Sequence, residues 1–218
     1  MTVSNRNPMR VLITGFGPFP GAPFNPTQPL VERLTRLRRP AFADLERSSH
    51  IFRVTYGDVD RDLPRLLAER QPDVLLMFGL AARTPHVRVE TRARNAITTI
   101  WPDAGNTRIG LGKIAAGQAE SLTFGPHTAR LVRAATLTDV PAKSSRDAGR
   151  YLCNYLCWRA IEATRASPSP PLAAFIHVPQ IDRGTISRRK GVPPRVSFEQ
   201  LVDASEAILL EMLRASRR

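Results

Sequence analysis

Cys153 and Cys157 are the two cysteines of the chain, and they lie four residues apart. The segment before them contains Ser145 and Asp147, residue types that cap helices, and no Pro or Gly then interrupts the chain from position 150 to Ser167. This pattern predicts a tight turn that leads into a helix. Cys153 would lie in its first turn or two, where free N–H groups and the helix dipole favour an anion. Cys153 is therefore either a thiolate nucleophile or a small buried hydrophobe, and the second interpretation suits Cys157 better.

Two further residues have the chemistry that a thiolate needs. His177 follows the apolar run Leu172–Ile176, and Glu90 ends an alternating segment that begins at His86. An imidazole can take the proton of a thiol, and a carboxylate can fix the tautomer of that imidazole. His177 could equally be a histidine of the core. His86 and Glu90 could bind a metal, but no third ligand follows nearby, so we predict none.

Alternating strands and helices favour an α/β/α sandwich, with a mostly parallel, mixed central sheet flanked by helices. We predict a single domain for residues 1–218, with a polar tail at 1–8 and a basic loop at 183–194. The predicted strands are 10–14, 50–56, 73–78, 86–90, 140–144 and 172–176, and the predicted helices are 25–38, 60–70, 127–136, a helix that contains Cys153, and 197–216.

The net charge of +13 would suit a protein that binds nucleic acid. The arginines are scattered along the chain, however, and no recognition-helix, zinc-finger or RNA-binding signature accompanies them. We therefore predict no specific nucleic-acid partner. The apolar runs are too short to cross a membrane, and the first residues lack the apolar stretch of a secretory signal. We accordingly predict no membrane partner and a cytoplasmic location.

The loop after the first predicted strand carries Phe16 and Phe19 between glycines and prolines. Its glycine spacing does not match the dinucleotide-binding fingerprint, and Pro18 and Pro20 prevent an immediate helix. We interpret the loop as a rigid platform that displays two aromatic rings. Such rings form either the wall of a pocket or the interior of a packed loop.

Five segments, in order, resemble the pyroglutamyl peptidase I family, which is cysteine peptidase family C15. The resemblance implies that Cys153 is the nucleophile, His177 the general acid and base, and Glu90 the acid that orients it. It implies removal of a pyroglutamyl residue from N-terminally blocked peptides, without a metal or organic cofactor, and assembly as a homodimer or homotetramer. The matching segments are 12–26, 72–74, 90–95, 148–154 and 175–179.

The resemblance also implies a pocket for the lactam ring. In that pocket Phe16 and Phe19 would sandwich the ring and Asn25 would help to position it. Tyr151 and Leu152 would line the wall beside the nucleophile.

The sequence departs from the family pattern near this pocket. Leu80 replaces a glutamine that is expected to bind the lactam, Ile100 replaces an arginine, and Arg150 replaces a threonine. Three alternatives therefore remain open. They are a pyroglutamyl peptidase, a related cysteine amidase that acts on another acyl group, and a basic binding protein with the same fold.

Overall fold

The structure, a computed structural model, describes residues 8–182 and 195–217. The predicted tail, apart from Pro8, and the predicted basic loop at 183–194 lie outside the described residues. The strands are β1 (Met9–Phe16), β2 (Leu45–Phe52), β3 (Val74–Leu80), β4 (Val87–Glu90), β5 (Arg92–Arg94), β6 (Ser121–Thr123), β7 (Ala142–Ser145) and β8 (Leu172–Val178). The helices are α1 (Thr27–Arg36), α2 (Tyr56–Arg70), α3 (Thr128–Thr136), α4 (Leu152–Ala166) and α5 (Phe198–Ser216), with a 3₁₀ turn at Pro40–Phe42.

Six strands form the central sheet in the order β2-β1-β3-β8-β4-β7. The first four run parallel, β4 runs antiparallel to β8, and β7 runs parallel to β4. The predicted mixed, mostly parallel sheet is confirmed. In this register His177 of β8 lies between Gly79 of β3 and Arg88 of β4. Because paired residues face the same side of a sheet, these three positions share one face.

Helices cover both faces of the sheet, as predicted. On one face α1, α3 and α5 bury Leu34, Leu131 and Leu209 against the strands. On the other face α2 and α4 bury Leu63 and Trp158. β3 is apolar along its whole length because it is covered from both sides. The assignment of residues 1–218 to a single domain stays a prediction.

Several element boundaries differ from the prediction. The second strand is β2, which ends at Phe52, rather than 50–56, and Tyr56 begins α2 instead of ending a strand. The cause is a helix cap, since the Thr55 hydroxyl accepts a hydrogen bond of 3.2 Å from the N–H of Asp58. β3 and β8 each extend two residues beyond the predicted ends, so that Leu80 and His177 are strand residues.

A second, two-stranded sheet was not predicted. β5 and β6 pair antiparallel beside α4. Asn154 of α4 holds β5 in place, because its side-chain amide donates hydrogen bonds to the carbonyls of Arg94 and Ala96 and accepts one from the N–H of Arg94. Within residues 8–182 and 195–217, no helix is long and apolar enough to cross a membrane.

Candidate active site

Cys153 is the second residue of α4 and is partly buried. The first hydrogen bond of this helix runs from the N–H of Tyr155 to the carbonyl of Tyr151, so the N–H groups of residues 152–154 have no acceptor within it. Tyr151 is the N-cap residue and its side chain makes no capping bond. The prediction that Cys153 lies in the first turn or two of a helix is confirmed, and the free N–H groups favour negative charge near the thiol.

The prediction that Ser145 or Asp147 caps this helix is wrong. Both side chains stabilise the preceding turn instead. The Ser145 hydroxyl accepts a hydrogen bond from the N–H of Asp147, and the Asp147 carboxylate accepts one from the N–H of Gly149. Gly149 has a φ of +85°, a backbone conformation that other residues adopt only with strain. The turn, rather than a side-chain cap, delivers Cys153 to the helix terminus.

His177 and Glu90 form a buried pair. Nδ1 of His177 lies 2.8 Å from Oε1 of Glu90, with the carboxylate fully buried and the histidine 5% exposed. Burial alone disfavours the imidazolium, but the charge and hydrogen bond of Cys153, together with those of Glu90, outweigh it and raise the pKa of His177 to about 9. The carboxylate binds the imidazole directly, and Sγ of Cys153 lies beside Gly79, the neighbour of His177 in the sheet, so the three predicted catalytic residues lie together.

Gly79 leaves the space that the thiol occupies. A Cβ atom at this position would lie 2.7 Å from Sγ of Cys153 and 2.7 Å from the Phe175 ring, both closer than real Cβ contacts. Phe175 in turn packs edge-on against the His177 ring, with 5.0 Å between the ring centroids. Position 79, next to His177 in the sheet, must therefore be a glycine for Cys153 to occupy its place in the site. Nothing in the local sequence marks Gly79 for this role.

Arg88 stands on the opposite side of His177 and contacts Glu90. Its Nη2 atom lies 3.0 Å from Oε1 of Glu90 and 2.6 Å from the Ser145 hydroxyl, and it also donates to the main-chain carbonyl of Asp147. One guanidinium therefore connects the buried carboxylate to the turn that precedes the nucleophile.

A cavity of about 580 Å³ opens beside the thiol. Cys153 and His177 line it, whereas Glu90 lies behind His177 and does not reach it. The cavity brings together all of the predicted pocket residues, and its lining includes Phe16, Phe19, Asn25, Leu80, Tyr151 and Leu152.

The two phenylalanines contribute in different ways. Phe16 is the last residue of β1 and is buried, with its ring packed on Phe52, rather than displayed on a loop as predicted. Its main-chain N–H and carbonyl both bind the Thr27 hydroxyl, which fixes the start of the loop. Phe19 is partly buried and belongs to the loop itself. Phe16 is therefore also a core residue, while Phe19 is free to contact a ligand.

Asn25 holds this loop together. Its side-chain N–H donates to the carbonyl of Gly17 at 3.1 Å, and its side-chain oxygen accepts hydrogen bonds from the N–H and hydroxyl of Thr27. Asn25 is buried. Its amide is engaged within the protein, so any effect on a ligand passes mainly through the shape of the loop.

Only one of the three departures from the family pattern lines the cavity, and that is Leu80. Ile100 is 68% exposed, and both it and the exposed Arg150 lie outside the lining. The Ile100 segment is nevertheless held beside the nucleophile turn, since the N–H of Thr98 donates to the carbonyl of Arg150 and the Tyr151 hydroxyl donates to that of Pro102.

Within the described ranges, His86 and Glu90 are not part of any group of three or more His, Cys, Asp or Glu side chains that could hold a metal ion. Burial and the positive charges of Lys143 and Arg88 lower the pKa of His86. Those same positive charges disfavour a cation at this position.

The chain has relatives among known proteins. The sequence profile of the pyroglutamyl peptidase family, peptidase family C15, matches residues 9–214. The chain belongs to this family. The predicted resemblance is thereby confirmed, as is the assignment to a family of cysteine hydrolases.

Relatives within the pyroglutamyl peptidase family cover nearly the whole chain. The pyrrolidone-carboxylate peptidase of Pyrococcus furiosus is 30% identical over 198 residues, which is 90% of this chain and 94% of that protein. The enzyme of the same name from Thermococcus onnurineus is 30% identical over 207 residues, or 95% and 100% of the two chains.

Solved structures of the family share the fold. A mutant pyrrolidone carboxyl peptidase from Pyrococcus furiosus superposes with a TM-score of 0.83 at 27% identity, covering 95% of this chain and 99% of the other. Pyroglutamyl peptidase I from Bacillus amyloliquefaciens superposes with a TM-score of 0.82 at 23% identity, covering 95% and 98%. The predicted α/β fold is therefore that of pyroglutamyl peptidases.

Proposed function

We propose that the protein is a cysteine omega-peptidase that removes an N-terminal pyroglutamyl residue from peptides. The observation that carries this proposal is that His177 hydrogen-bonds the buried Glu90 and lines the same cavity as Cys153. Membership in the pyroglutamyl peptidase family supplies the substrate class. Cys153 is the nucleophile, His177 the general acid and base, and Glu90 the group that orients His177.

Acylation begins with the ion pair of a Cys153 thiolate and a His177 imidazolium. The sulfur attacks the carbonyl carbon of the pyroglutamyl residue, and the carbonyl oxygen becomes an oxyanion. His177 then gives its proton to the nitrogen of the leaving peptide as the C–N bond breaks, which leaves a pyroglutamyl thioester on Cys153. The fully buried Glu90 accepts the Nδ1 hydrogen bond throughout and keeps Nε2 directed toward the sulfur.

The start of α4 supplies partners for the oxyanion. The N–H groups of residues 152–154 lack acceptors within the helix, and no side chain caps them. N–H groups aimed at developing negative charge commonly provide the largest share of such catalysis. In deacylation His177 accepts a proton from water, the resulting hydroxide attacks the thioester, and the thiolate leaves.

The cavity suits a small acyl group with flat, largely apolar faces. Phe19, Leu80 and Tyr151 supply apolar contacts, with Cys153 at one edge. Leu80 can pack on a lactam ring but cannot accept its N–H, so a main-chain carbonyl must do so for strong pyroglutamyl selectivity. A lactam N–H left unpaired in the cavity would cost about 1–3 kcal/mol. Because Leu80 cannot accept this hydrogen bond, a cysteine amidase that acts on another acyl group is the second candidate function.

Hydrolysis of pyroglutamyl aminomethylcoumarin tests the proposal, with the prolyl, acetyl and glutamyl amides of the same fluorophore as comparisons. We expect the highest kcat/KM for the pyroglutamyl amide, and no turnover by Cys153→Ala. A higher value for another acyl group would support the amidase instead. Absence of turnover on every amide would support a binding protein with this fold.

We further propose a cytoplasmic location and assembly as a homodimer or homotetramer. Both cysteines are free thiols, as a reducing compartment would keep them. Trp101, Leu111 and Leu137 are each at least 67% exposed on the isolated chain, and such apolar side chains are candidates for a subunit interface. Light scattering coupled to gel filtration measures the assembly directly.

A further inference from the structure

We propose that Arg88 is a positioning residue of the catalytic relay, which couples the orienting carboxylate of Glu90 to the turn that delivers Cys153. This inference rests on the proposed function of the cavity. Arg88 lines the cavity, but its Nη2 atom is engaged with Glu90, Ser145 and the carbonyl of Asp147, so we assign its effect on catalysis to these residues.

The first support is the shared carboxylate oxygen. Oε1 of Glu90 lies 2.8 Å from Nδ1 of His177 and 3.0 Å from Nη2 of Arg88. Glu90 is fully buried, and the side chain of Arg88 is only 20% exposed. A carboxylate without access to water depends on such partners for its charge and orientation. The same carboxylate oxygen therefore takes part in a hydrogen bond with His177 and in an ion pair with Arg88.

The second support is the contact of the same Arg88 nitrogen with the nucleophile turn. Nη2 donates to the Ser145 hydroxyl at 2.6 Å and to the carbonyl of Asp147. Asp147 lies six residues before Cys153, within the turn that ends at Tyr151. Movement of Glu90 and movement of this turn are therefore linked through a single guanidinium.

The third support is the sheet register. Arg88 lies directly opposite His177 in the antiparallel pair of β4 and β8, and Glu90 lies diagonally across on the same face. On the other side of His177 stands Gly79, which has no side chain. The imidazole thus has space for the thiol on one side and a fixed charged group on the other.

Arg88→Met tests the proposal, with Arg92→Met as the matched control. Nε of Arg92 donates to the carbonyl of Arg146 at 2.9 Å, so this control removes an arginine that anchors the same turn without contacting Glu90. We expect Arg88→Met to lower kcat by about tenfold to a hundredfold, with KM changed by less than about threefold. Arg92→Met should leave kcat within about threefold of the wild type, because Glu90 keeps both of its partners.

A double-mutant cycle with Glu90→Gln separates positioning from general stabilisation. If Arg88 acts through Glu90, Arg88→Met in the Glu90→Gln background should cost less than about threefold in kcat. Fully additive losses, an equal loss in Arg92→Met, or a raised KM with unchanged kcat would each overturn the proposal. The last result would make Arg88 a residue that binds substrate.

Urea denaturation of each variant establishes that it is folded. If Arg88→Met does not fold, Arg88→Lys replaces it, because the shorter lysine side chain does not carry its ammonium to the position of Nη2. A kcat between those of the wild type and Glu90→Gln supports the proposal, and wild-type kcat overturns it. Alkylation of Cys153 by iodoacetamide requires no substrate. A tenfold slower alkylation in the Arg88 variant than in Arg92→Met supports the proposal even if the pyroglutamyl amide is not hydrolysed, and equal rates overturn it.

Discussion

Gly79 and Cys153 approach each other so closely that no residue with a Cβ atom fits at position 79. The methyl carbon of an alanine there would lie 2.7 Å from the sulfur. Gly79 is also the neighbour of His177 in the sheet. The sulfur can therefore lie beside the imidazole only because position 79 of β3 is a glycine.

Gly79→Ala should lower kcat by about a hundredfold, because a displacement of about 1 Å at a reacting atom costs that much. The matched control is Gly57→Ala in α2, where an added Cβ would meet nothing within 4 Å. Because alanine also destabilises a helix less than glycine does, the control variant should be folded and fully active. Steady-state kinetics on pyroglutamyl aminomethylcoumarin provide the measurement. Wild-type kcat in Gly79→Ala would show that the thiol acts from another position.

The two cysteines should differ sharply in reactivity. Cys157 is fully buried, and burial raises the pKa of its thiol well above the ordinary value, with the charges of Glu90 and Cys153 adding to the effect. Iodoacetamide should therefore label Cys153 first and abolish turnover at the same rate. Cys153→Ala should be inactive, whereas Cys157→Ala should keep most of its activity. Peptide mapping after partial labelling identifies the modified residue, and prior labelling of Cys157 would contradict this prediction.

The sequence predicted the central elements because their patterns are strong. β3 and residues 172–176 of β8 are continuous apolar runs, and α4 follows a turn and contains no Pro or Gly. The ends of these strands were predicted less well. Leu80 of β3 pairs with β8, and His177 of β8 pairs with β3 and β4, so pairing rather than local composition sets where the strands end. The predicted strand at 50–56 was displaced from the true β2, because the edge strand β2 mixes polar residues, such as Glu46 and Arg47, with apolar ones.

The candidate site was predictable only in part. The resemblance to the family identified Cys153, His177 and Glu90, and the geometry brings them together. Gly79 and Arg88 were missed as partners of His177 because that relationship depends on strand register and on the antiparallel direction of β4. Neither feature has a signal in the local sequence. The position of Arg88 on the same face as Glu90 was the one available clue.

The alkaline limit of activity should depend on Glu90. Because the pKa of His177 is raised to about 9, the imidazolium that protonates the leaving amine persists to that pH. The kcat/KM of the wild type should then fall as pH rises through about 9. Glu90→Gln removes one of the two anionic partners, so its alkaline limb should begin at lower pH and its kcat should fall. Identical pH profiles would remove Glu90 from the relay.

The same shift predicts how stability depends on pH. The pKa of His177 is about 9 in the folded protein, compared with about 6.5 for an unfolded chain. Its contribution to the free energy of unfolding is therefore complete below about pH 6.5 and is lost as pH rises to about 9. Urea denaturation should show a smaller loss between these pH values for Glu90→Gln than for the wild type. An equal loss in the two proteins would contradict the assignment.

Phe16 and Phe19 should separate stability from binding. Phe16 is 2% exposed within the core, so Phe16→Ala should lower the free energy of unfolding by about 3–5 kcal/mol. Phe19 is partly buried at the cavity, so Phe19→Ala should mainly raise KM for the pyroglutamyl amide and leave the urea midpoint nearly unchanged. Measuring both quantities for both variants checks the distinction, and an unchanged KM in Phe19→Ala would exclude its ring from the substrate pocket.

The central claim is that Cys153 carries the acyl group during turnover. A rapid acid quench after mixing the enzyme with an activated pyroglutamyl ester, followed by peptide mass spectrometry, tests it most directly. We predict a product burst of one equivalent per active site and a pyroglutamyl thioester on the peptide that contains Cys153. Cys153→Ala should give neither, while Cys157→Ala should give both. Turnover by Cys153→Ala at the wild-type rate, or an acyl group on Cys157, would contradict the proposed mechanism.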